Sequence, residues 1–159
     1  MSNIRIVTDS TADLSQEIVE QYGIIVVPLT VLIEGKSYLD RVNIDNETFY
    51  GMLRGAKELP TTSQPSPAVF AQVYQSLAAE GVKEIISIHI SSDLSGTVQS
   101  ARLAQNMVAD QVKVTVIDSR SATMGLGLVV LSAAKALNEG RTLQETLLLL
   151  EMIVEKLDL

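Results

Sequence analysis

Cysteine and tryptophan are absent from the 159 residues, and the chain has a single histidine, His89. The absence of cysteine excludes disulfides, thiolate nucleophiles and cysteine-based metal sites. One histidine without cysteine also disfavours a transition-metal site, so we expect neither a metal nor a cofactor. Aromatic residues make up only 4% of the chain, which predicts a mainly aliphatic core.

The sequence also has no basic run, no signal-peptide core and no apolar run near the ~20 residues needed to cross a bilayer. Its net charge of −7 opposes binding to nucleic acid and to anionic membranes. We therefore expect a cytoplasmic protein with no nucleic-acid partner and no stable membrane insertion. A composition with 47% hydrophobic and 19% charged residues is typical of a folded globular chain.

Apolar, β-branched runs alternate with helical patterns along the chain. The runs at 4–7, 24–33, 85–90 and 112–117 predict strands, and Pro28 interrupts the second of them. Asp13 and Ser66 stand where helix caps are expected, while 59–66 has the composition of a loop. This alternation predicts a three-layer α/β/α fold with a mainly parallel sheet.

Four short segments rich in Ser, Thr and Asp are predicted near the carboxyl ends of the strands, at 8–11, 61–64, 91–97 and 118–121. Open α/β sheets bind their ligands at that edge. Each segment leads toward a helix N-terminus, where unpaired N–H groups attract anions. Serine, threonine and aspartate are also ordinary helix caps. Four such segments at one edge nevertheless favour a binding site.

Catalytic patterns are weaker. Ser91 or Ser95 together with His89 and Asp9 would supply the residue types of a Ser–His–Asp triad. The sequence has no G-x-S-x-G motif, no P-loop and no G-x-G-x-x-G motif. We therefore interpret His89 as a structural residue and assign no catalytic residue.

The last predicted helix has an unusually wide apolar surface. Thr142 and Glu145 have the spacing of a capping box at its start. The apolar residues that follow are Leu147, Leu148, Leu149, Leu150, Met152, Ile153, Val154 and Leu157. Such a helix is expected to be buried on several sides. We therefore divide the chain into an α/β domain at 1–140 and a terminal helix at 141–159 that leads to a second domain absent from this chain.

Four motifs in this order resemble the signature loops of the DegV family. They read TDSTADL at 8–14, PTTSQPSP at 60–67, SDLSGT at 92–97 and DSR at 118–120. The resemblance covers essentially the whole chain and implies the first domain of a two-domain fold. Arg41 and Asn43 depart from the pattern, since a glycine and an aspartate are expected there.

The resemblance implies a bacterial fatty-acid-binding protein that presents a long-chain fatty acid to a separate fatty acid kinase and has no enzymatic activity of its own. It implies that Thr62 and Ser95 bind the carboxylate and that Ser63 and Gly96 support them.

Aliphatic residues that flank the loops, Leu94, Met124 and Leu126, are candidates for contact with the acyl tail. Two alternatives stay open. One is a hydrolase or phosphotransferase that uses the Ser-rich loops, and the other is a regulatory interaction module that binds no lipid.

The terminal helix generates a first prediction, because one domain can cover only one of its apolar faces. An exposed apolar patch of more than a few hundred Å² is unusual on a monomer. We expect the 159-residue chain to self-associate through this helix or to hold it loosely, and to bind fatty acid more weakly than a two-domain version. Light scattering and parallel binding titrations test this. A monomer with an ordered helix and undiminished affinity would contradict it.

Overall fold

Strands and helices alternate along residues 3–157, which are the residues that the computed structural model describes. The elements are β1 (Ile4–Asp9), α1 (Gln16–Tyr22), β2 (Ile25–Val27), β3 (Thr30–Ile33), β4 (Lys36–Leu39), α2 (Asn46–Gly55), β5 (Thr61–Ser63), α3 (Pro67–Ala79), β6 (Glu84–His89), α4 (Thr97–Met107), β7 (Lys113–Asp118), α5 (Thr123–Asn138) and α6 (Leu143–Lys156). A short 3₁₀ turn, Ser10–Ala12, follows β1.

In this described range the main sheet has four strands in the order β2-β1-β6-β7, and all of its pairs are parallel. Helices α3 and α4 cover one face of the sheet. Helices α1, α5 and α6 cover the other face. The predicted three-layer α/β/α fold is therefore confirmed. Because both faces are covered, β6 is an apolar strand in which Ile85 points to one layer and Ile86 and Ile88 to the other.

The core is mostly aliphatic, as the composition predicts, but aromatic residues occupy one of its centres. Tyr74 and Phe70 are the largest of the fully buried side chains described. Both lie on α3 and pack on the sheet together with Ala101 and Ala104 of α4. Small alanines on α4 leave room for these rings, so a few aromatic residues fill much of this layer.

A second, smaller sheet was not predicted. The run at 24–33 was expected to be one strand, but β2 ends at Val27 and β3 begins at Thr30. Pro28 lies between them and has no N–H to donate to a strand ladder. The next amide, of Leu29, donates instead to the Ser10 hydroxyl at 3.1 Å. The chain therefore leaves the parallel sheet at this point, and β3 joins β4 and β5 in an antiparallel sheet of order β4-β3-β5.

Strand β5 contradicts the prediction of a loop over 59–66. Thr62 pairs with Val31 of β3, and Thr61 pairs with Leu32. Directly opposite residues share a face of the sheet, and successive residues alternate between faces. Thr62 therefore lies on the same face as the buried Val31, whereas Thr61 lies on the outer face with the exposed Leu32.

The helix caps are mostly where the sequence places them. Ser66 caps α3, with a proline at the first turn, and Thr142 forms a capping box with the third residue of α6. The cap of α1 was predicted wrongly. Ser15, not Asp13, accepts a hydrogen bond from the Ile18 amide, at 3.3 Å. Asp13 instead has a left-handed backbone, with φ of 51°.

Helix α6 packs against the main domain through Leu150 and Thr146, which are both fully buried. Leu148 and Met152 are four residues apart and so lie on one face of the helix, away from Thr146 and Leu150. Each of them is 54% exposed. An apolar surface is thus left open on α6, and its coverage by a second domain stays a prediction. No helix within residues 3–157 is long and apolar enough to span a membrane.

The two departures from the family pattern are accommodated locally. Arg41 has φ of 59°, the left-handed conformation that favours glycine. Its guanidinium donates to the Leu14 carbonyl at 2.6 Å and contacts the Asp13 carboxylate at 3.2 Å. Asn43 accepts a hydrogen bond from the Leu39 amide at 2.7 Å through its side-chain oxygen, as an aspartate would. These contacts offset the backbone cost and hold the loop.

The contact between α5 and the 3₁₀ turn generates a second prediction. A Cβ atom at Gly127 would lie 2.4 Å from the Ala12 carbonyl oxygen, and backbone cannot move aside cheaply. Gly127→Ala should therefore lower the free energy of unfolding by about 1–3 kcal/mol. Gly51→Ala is the matched control, because a Cβ at this position in α2 meets nothing within 4 Å. It should raise stability by about 0.5–1 kcal/mol.

Urea denaturation followed by circular dichroism measures both changes. Equal effects of the two substitutions would contradict the close packing of α5 on the 3₁₀ turn.

Candidate ligand-binding site

The carboxyl ends of β1, β6 and β7 meet at one edge of the parallel sheet, as predicted. The segments that follow these strands are bonded to one another. The Ser91 amide donates to the Ser121 carbonyl at 2.9 Å, and the Ser92 amide donates to the Asp118 carboxylate at 3.3 Å. The hydroxyl-rich segments at 91–97 and 118–121 therefore form one connected surface.

The small antiparallel sheet brings the remaining hydroxyl-rich segment, 61–64, to the same edge. A Cβ on Gly96 would lie 2.7 Å from the side-chain nitrogen of Gln64, so the two residues are in close contact. Gln64 was not assigned a role from the sequence, although it belongs to the quoted motif. A larger residue at position 96 would require the end of the Gln64 side chain to move.

The predicted binding residues thus lie in two adjacent segments. Thr62 and Ser63 are exposed on β5, and Ser95 is half-buried immediately before the exposed Gly96. The Ser95 hydroxyl lies 2.9 Å from that of Thr97, and it accepts a bond from the Thr97 amide at 3.3 Å. The structure brings these segments together, and their contact with a ligand stays a prediction.

Helix α4 begins at this point, directly after the exposed Gly96. Gly96 is its N-cap residue and has no side chain to accept from the amides of the first turn. Those amides carry roughly half a positive charge along the helix axis. Because the half-buried Ser95 adds a hydroxyl group beside them, the start of α4 is chemically suited to an anion.

A buried carboxylate holds the ends of β1 and β6. Asp9 is fully buried, and its Oδ1 accepts from the amide and the hydroxyl of Thr11 at 3.1 and 2.5 Å. Its Oδ2 accepts from His89 Nδ1 at 2.9 Å and from the Ile90 amide at 3.1 Å. Burial raises the pKa of the Asp9 carboxyl, but the bonds and charge of His89, with Thr11 and Ile90, outweigh it and lower the pKa below its usual value.

The second nitrogen of His89 points into the core. Nε2 lies 2.7 Å from the Ser87 hydroxyl, which lies 2.7 Å from the Tyr74 hydroxyl. Since a carboxylate only accepts, Nδ1 carries a proton toward Asp9. Burial raises the pKa of Tyr74 to about 12, although the hydrogen bond to Ser87 has the opposite, smaller effect. The phenol therefore stays protonated.

His89 is therefore not bonded to Ser91 or Ser95, and the triad considered from the sequence is not assembled. Its ring nitrogens are both occupied by buried partners, Asp9 and Ser87. Because a general base must reach the nucleophile's proton, this geometry supports the structural interpretation of His89.

Apolar side chains flank the polar edge. Leu94 is 60% exposed and Met124 is 55% exposed, in the segments next to α4 and at the start of α5. Leu126, proposed with them as a tail contact, is fully buried in the core under α5, so that prediction is wrong. Leu94 and Met124 therefore leave exposed apolar surface beside the hydroxyl-rich segments.

The fold and the site define an open, parallel α/β/α domain whose hydroxyl-rich segments and one helix N-terminus gather at the carboxyl edge of the sheet. A family model described as "Uncharacterised protein, DegV family" matches residues 3–159, and the chain belongs to the DegV family.

A DegV domain-containing protein of Caldanaerobacter subterraneus subsp. tengcongensis is 46% identical over 145 residues, which are 91% of this chain and 51% of that relative. Two solved structures have the same fold. One, described as showing fatty acid binding of a DegV family protein from Thermus thermophilus, aligns with a TM-score of 0.85 and 44% identity, covering 96% of this chain and 53% of that chain. The other, DegV from Bacillus subtilis, described as a fatty acid binding protein, aligns with a TM-score of 0.90 and 35% identity, covering 98% and 55%. The chain spans about half the length of the relatives it matches.

Asp9 generates a third prediction, on acid stability. Its pKa is lower in the folded chain than in the unfolded chain. The stabilisation is therefore complete above the unfolded value of about 3.9 and is lost as the pH falls through the folded pKa. Asp9→Asn should lower the free energy of unfolding by about 2–4 kcal/mol at neutral pH. It should also weaken the dependence of stability on pH below about pH 4.

Urea denaturation at a series of pH values measures this, with the exposed Asp110→Asn as the matched control. Identical pH profiles for wild type and Asp9→Asn would show that the Asp9 carboxylate does not stabilise the fold.

Proposed function

We propose that this chain binds a long-chain fatty acid and holds the carboxylate where β5 meets the start of α4. Thr62 and Ser95 donate hydrogen bonds to the carboxylate, and Ser63 and Gly96 support them. The observation that carries the proposal is the contact between Gln64 and Gly96, which sets two hydroxyl-bearing segments side by side. The descriptions of the Thermus and Bacillus relatives as fatty acid binding support it.

The chemistry of the edge suits a carboxylate. Hydroxyl groups and helix amides donate to an anion without carrying a charge that titrates near neutral pH. Hydrogen bonds to a charged acceptor are also about twice as strong as neutral ones. Thr62 faces inward on the small sheet yet remains exposed to solvent, so its hydroxyl is free to meet a head group.

The apolar flank suits an acyl chain. Leu94 and Met124 are both more than half exposed at the same edge. Each methylene that such a surface buries contributes about 0.8 kcal/mol. A long tail therefore supplies most of the affinity, while the hydroxyl groups select the carboxylate.

In this proposal the protein is a carrier and not a catalyst. The rest of the longer relatives' chain would form a second domain that completes the pocket, and a separate fatty acid kinase would receive the exposed carboxylate. The buried bonds of His89 support a non-catalytic role, because they keep this histidine away from Ser91 and Ser95. The open apolar surface of α6 around Leu148 supports a second domain.

The head-group assignment generates a fourth prediction. Thr62→Ala and Ser95→Ala should each weaken palmitate binding by about tenfold or more, since each removes a hydrogen bond to a charged group worth roughly 1.5–3 kcal/mol. Thr61→Ala is the matched control, because the same residue type lies on the opposite face of the same strand. Displacement of a fluorescent fatty acid measures the affinities. Wild-type affinity in both variants would place the head group elsewhere.

The carrier role is tested in the same preparation by adding a fatty acid kinase and ATP. Acyl phosphate should form only when both proteins are present, and Thr62→Ala should slow its formation. Hydrolysis of acyl esters by the chain alone, lost in His89→Ala, would favour the enzyme alternative.

A further inference from the structure

We propose that Asp9 and His89 are positioning residues for the carboxylate site: together they hold the segment at 90–97 and α3 in the relative placement that the head group requires. This inference rests on the proposed function. Neither side chain touches the ligand in this arrangement, because both are fully buried.

Asp9 controls where the segment that contains Ser95 begins. Its Oδ2 accepts from the Ile90 amide, the first amide after β6, while Oδ1 accepts from Thr11 beyond the end of β1. One carboxylate therefore joins the outgoing chains of two neighbouring strands. The carbonyl of the next residue, Ser91, accepts from the Leu94 and Ser95 amides. The position of Ile90 therefore fixes that of Ser95 through Ser91.

His89 links this carboxylate to α3, the helix that follows the segment containing Thr62. The His89 ring packs edge-on against Phe70, with the ring centroids 4.9 Å apart. Phe70 lies in the first turn of α3, which begins directly after the Ser66 cap. Asp9 is thus bonded to the start of the segment that contains Ser95, and His89 contacts the helix that follows the segment containing Thr62. Neither side chain reaches the ligand itself.

Asp9→Asn is the direct test, because it preserves the shape of the side chain but replaces an oxygen acceptor with a donor. An amide cannot accept from Thr11 and also from both Ile90 and His89. We expect palmitate affinity to fall by about tenfold or more, as for loss of a hydrogen bond to the carboxylate. Affinity for hexadecanol, which has the same tail and an uncharged head, should change by less than about twofold.

Amide hydrogen exchange supplies a second readout. Exchange over residues 90–97 should become faster in Asp9→Asn, because an amide cannot replace all of the hydrogen bonds by which the carboxylate joins Thr11 to Ile90. Thr11→Val is a milder variant that removes only the hydroxyl bond to Asp9, and it should show the same changes at smaller size.

Tyr74→Phe is the matched control. It removes a buried hydroxyl from the same network but leaves every bond to Asp9, so it should lower stability without changing the preference for palmitate over hexadecanol.

The outcomes separate this inference from the proposed function. If Thr62→Ala weakens palmitate binding while folded Asp9→Asn and Thr11→Val bind it as the wild type does, the positioning role is overturned and the head-group site stands. Equal losses for palmitate and hexadecanol without faster exchange at 90–97 would also overturn it, since they indicate a general loss of structure. If Thr62→Ala and Ser95→Ala leave palmitate binding unchanged, the proposed function fails and the positioning role fails with it.

Discussion

Burial of the Asp9 carboxylate is the constraint on which the carboxyl edge of the parallel sheet depends. A charge in the interior is costly unless it is paired and hydrogen-bonded. Here the donors come from Thr11, two residues beyond the end of β1, and from His89 at the end of β6, two strands that are adjacent in space and far apart in the chain. These hydrogen bonds form only when the carboxyl ends of β1 and β6 lie side by side. The carboxylate therefore keeps the two strand ends aligned at the edge from which the hydroxyl-rich segments emerge.

A second constraint comes from Pro28. Val27 pairs with Asp9, the last residue of β1, and the residue that follows it, Pro28, has no N–H to donate to a strand ladder. The chain turns away, and β3 becomes the centre of a separate antiparallel sheet. That small sheet carries Thr62 on its inner face and delivers Gln64 to Gly96. The end of β2 at Val27 thus separates the parallel sheet from the small sheet that carries the second half of the candidate site.

The two halves of the site differ in how they are held. The start of α4 belongs to the main domain and is fixed by the buried bonds of Asp9 and by Thr97, which is itself buried. The β5 half rests on an edge strand of only three residues, Thr61–Ser63. The α4 half is thus bonded to the buried residues of the main domain, whereas the β5 half is short and exposed.

Local patterns in the sequence were sufficient for most of the architecture. Apolar runs such as 85–90 and caps such as Ser66 and Thr142 depend on neighbours within a few residues, so the alternation of strands and helices and the polar edge of the sheet could be predicted. The motifs at 60–67 and 92–97 also indicated which family the chain belongs to.

The sequence by itself thus determined the layers, the edge and the residue types available there. Only the tertiary structure decided that Thr61–Ser63 is a strand, since a short polar segment becomes one by pairing with β3, about thirty residues earlier. It also decided that His89 faces Ser87 and Asp9 rather than Ser95, because the Asp9–His89 contact spans 80 positions in the chain. Contacts between distant segments are set by packing of the whole domain, and no local pattern of residues encodes them.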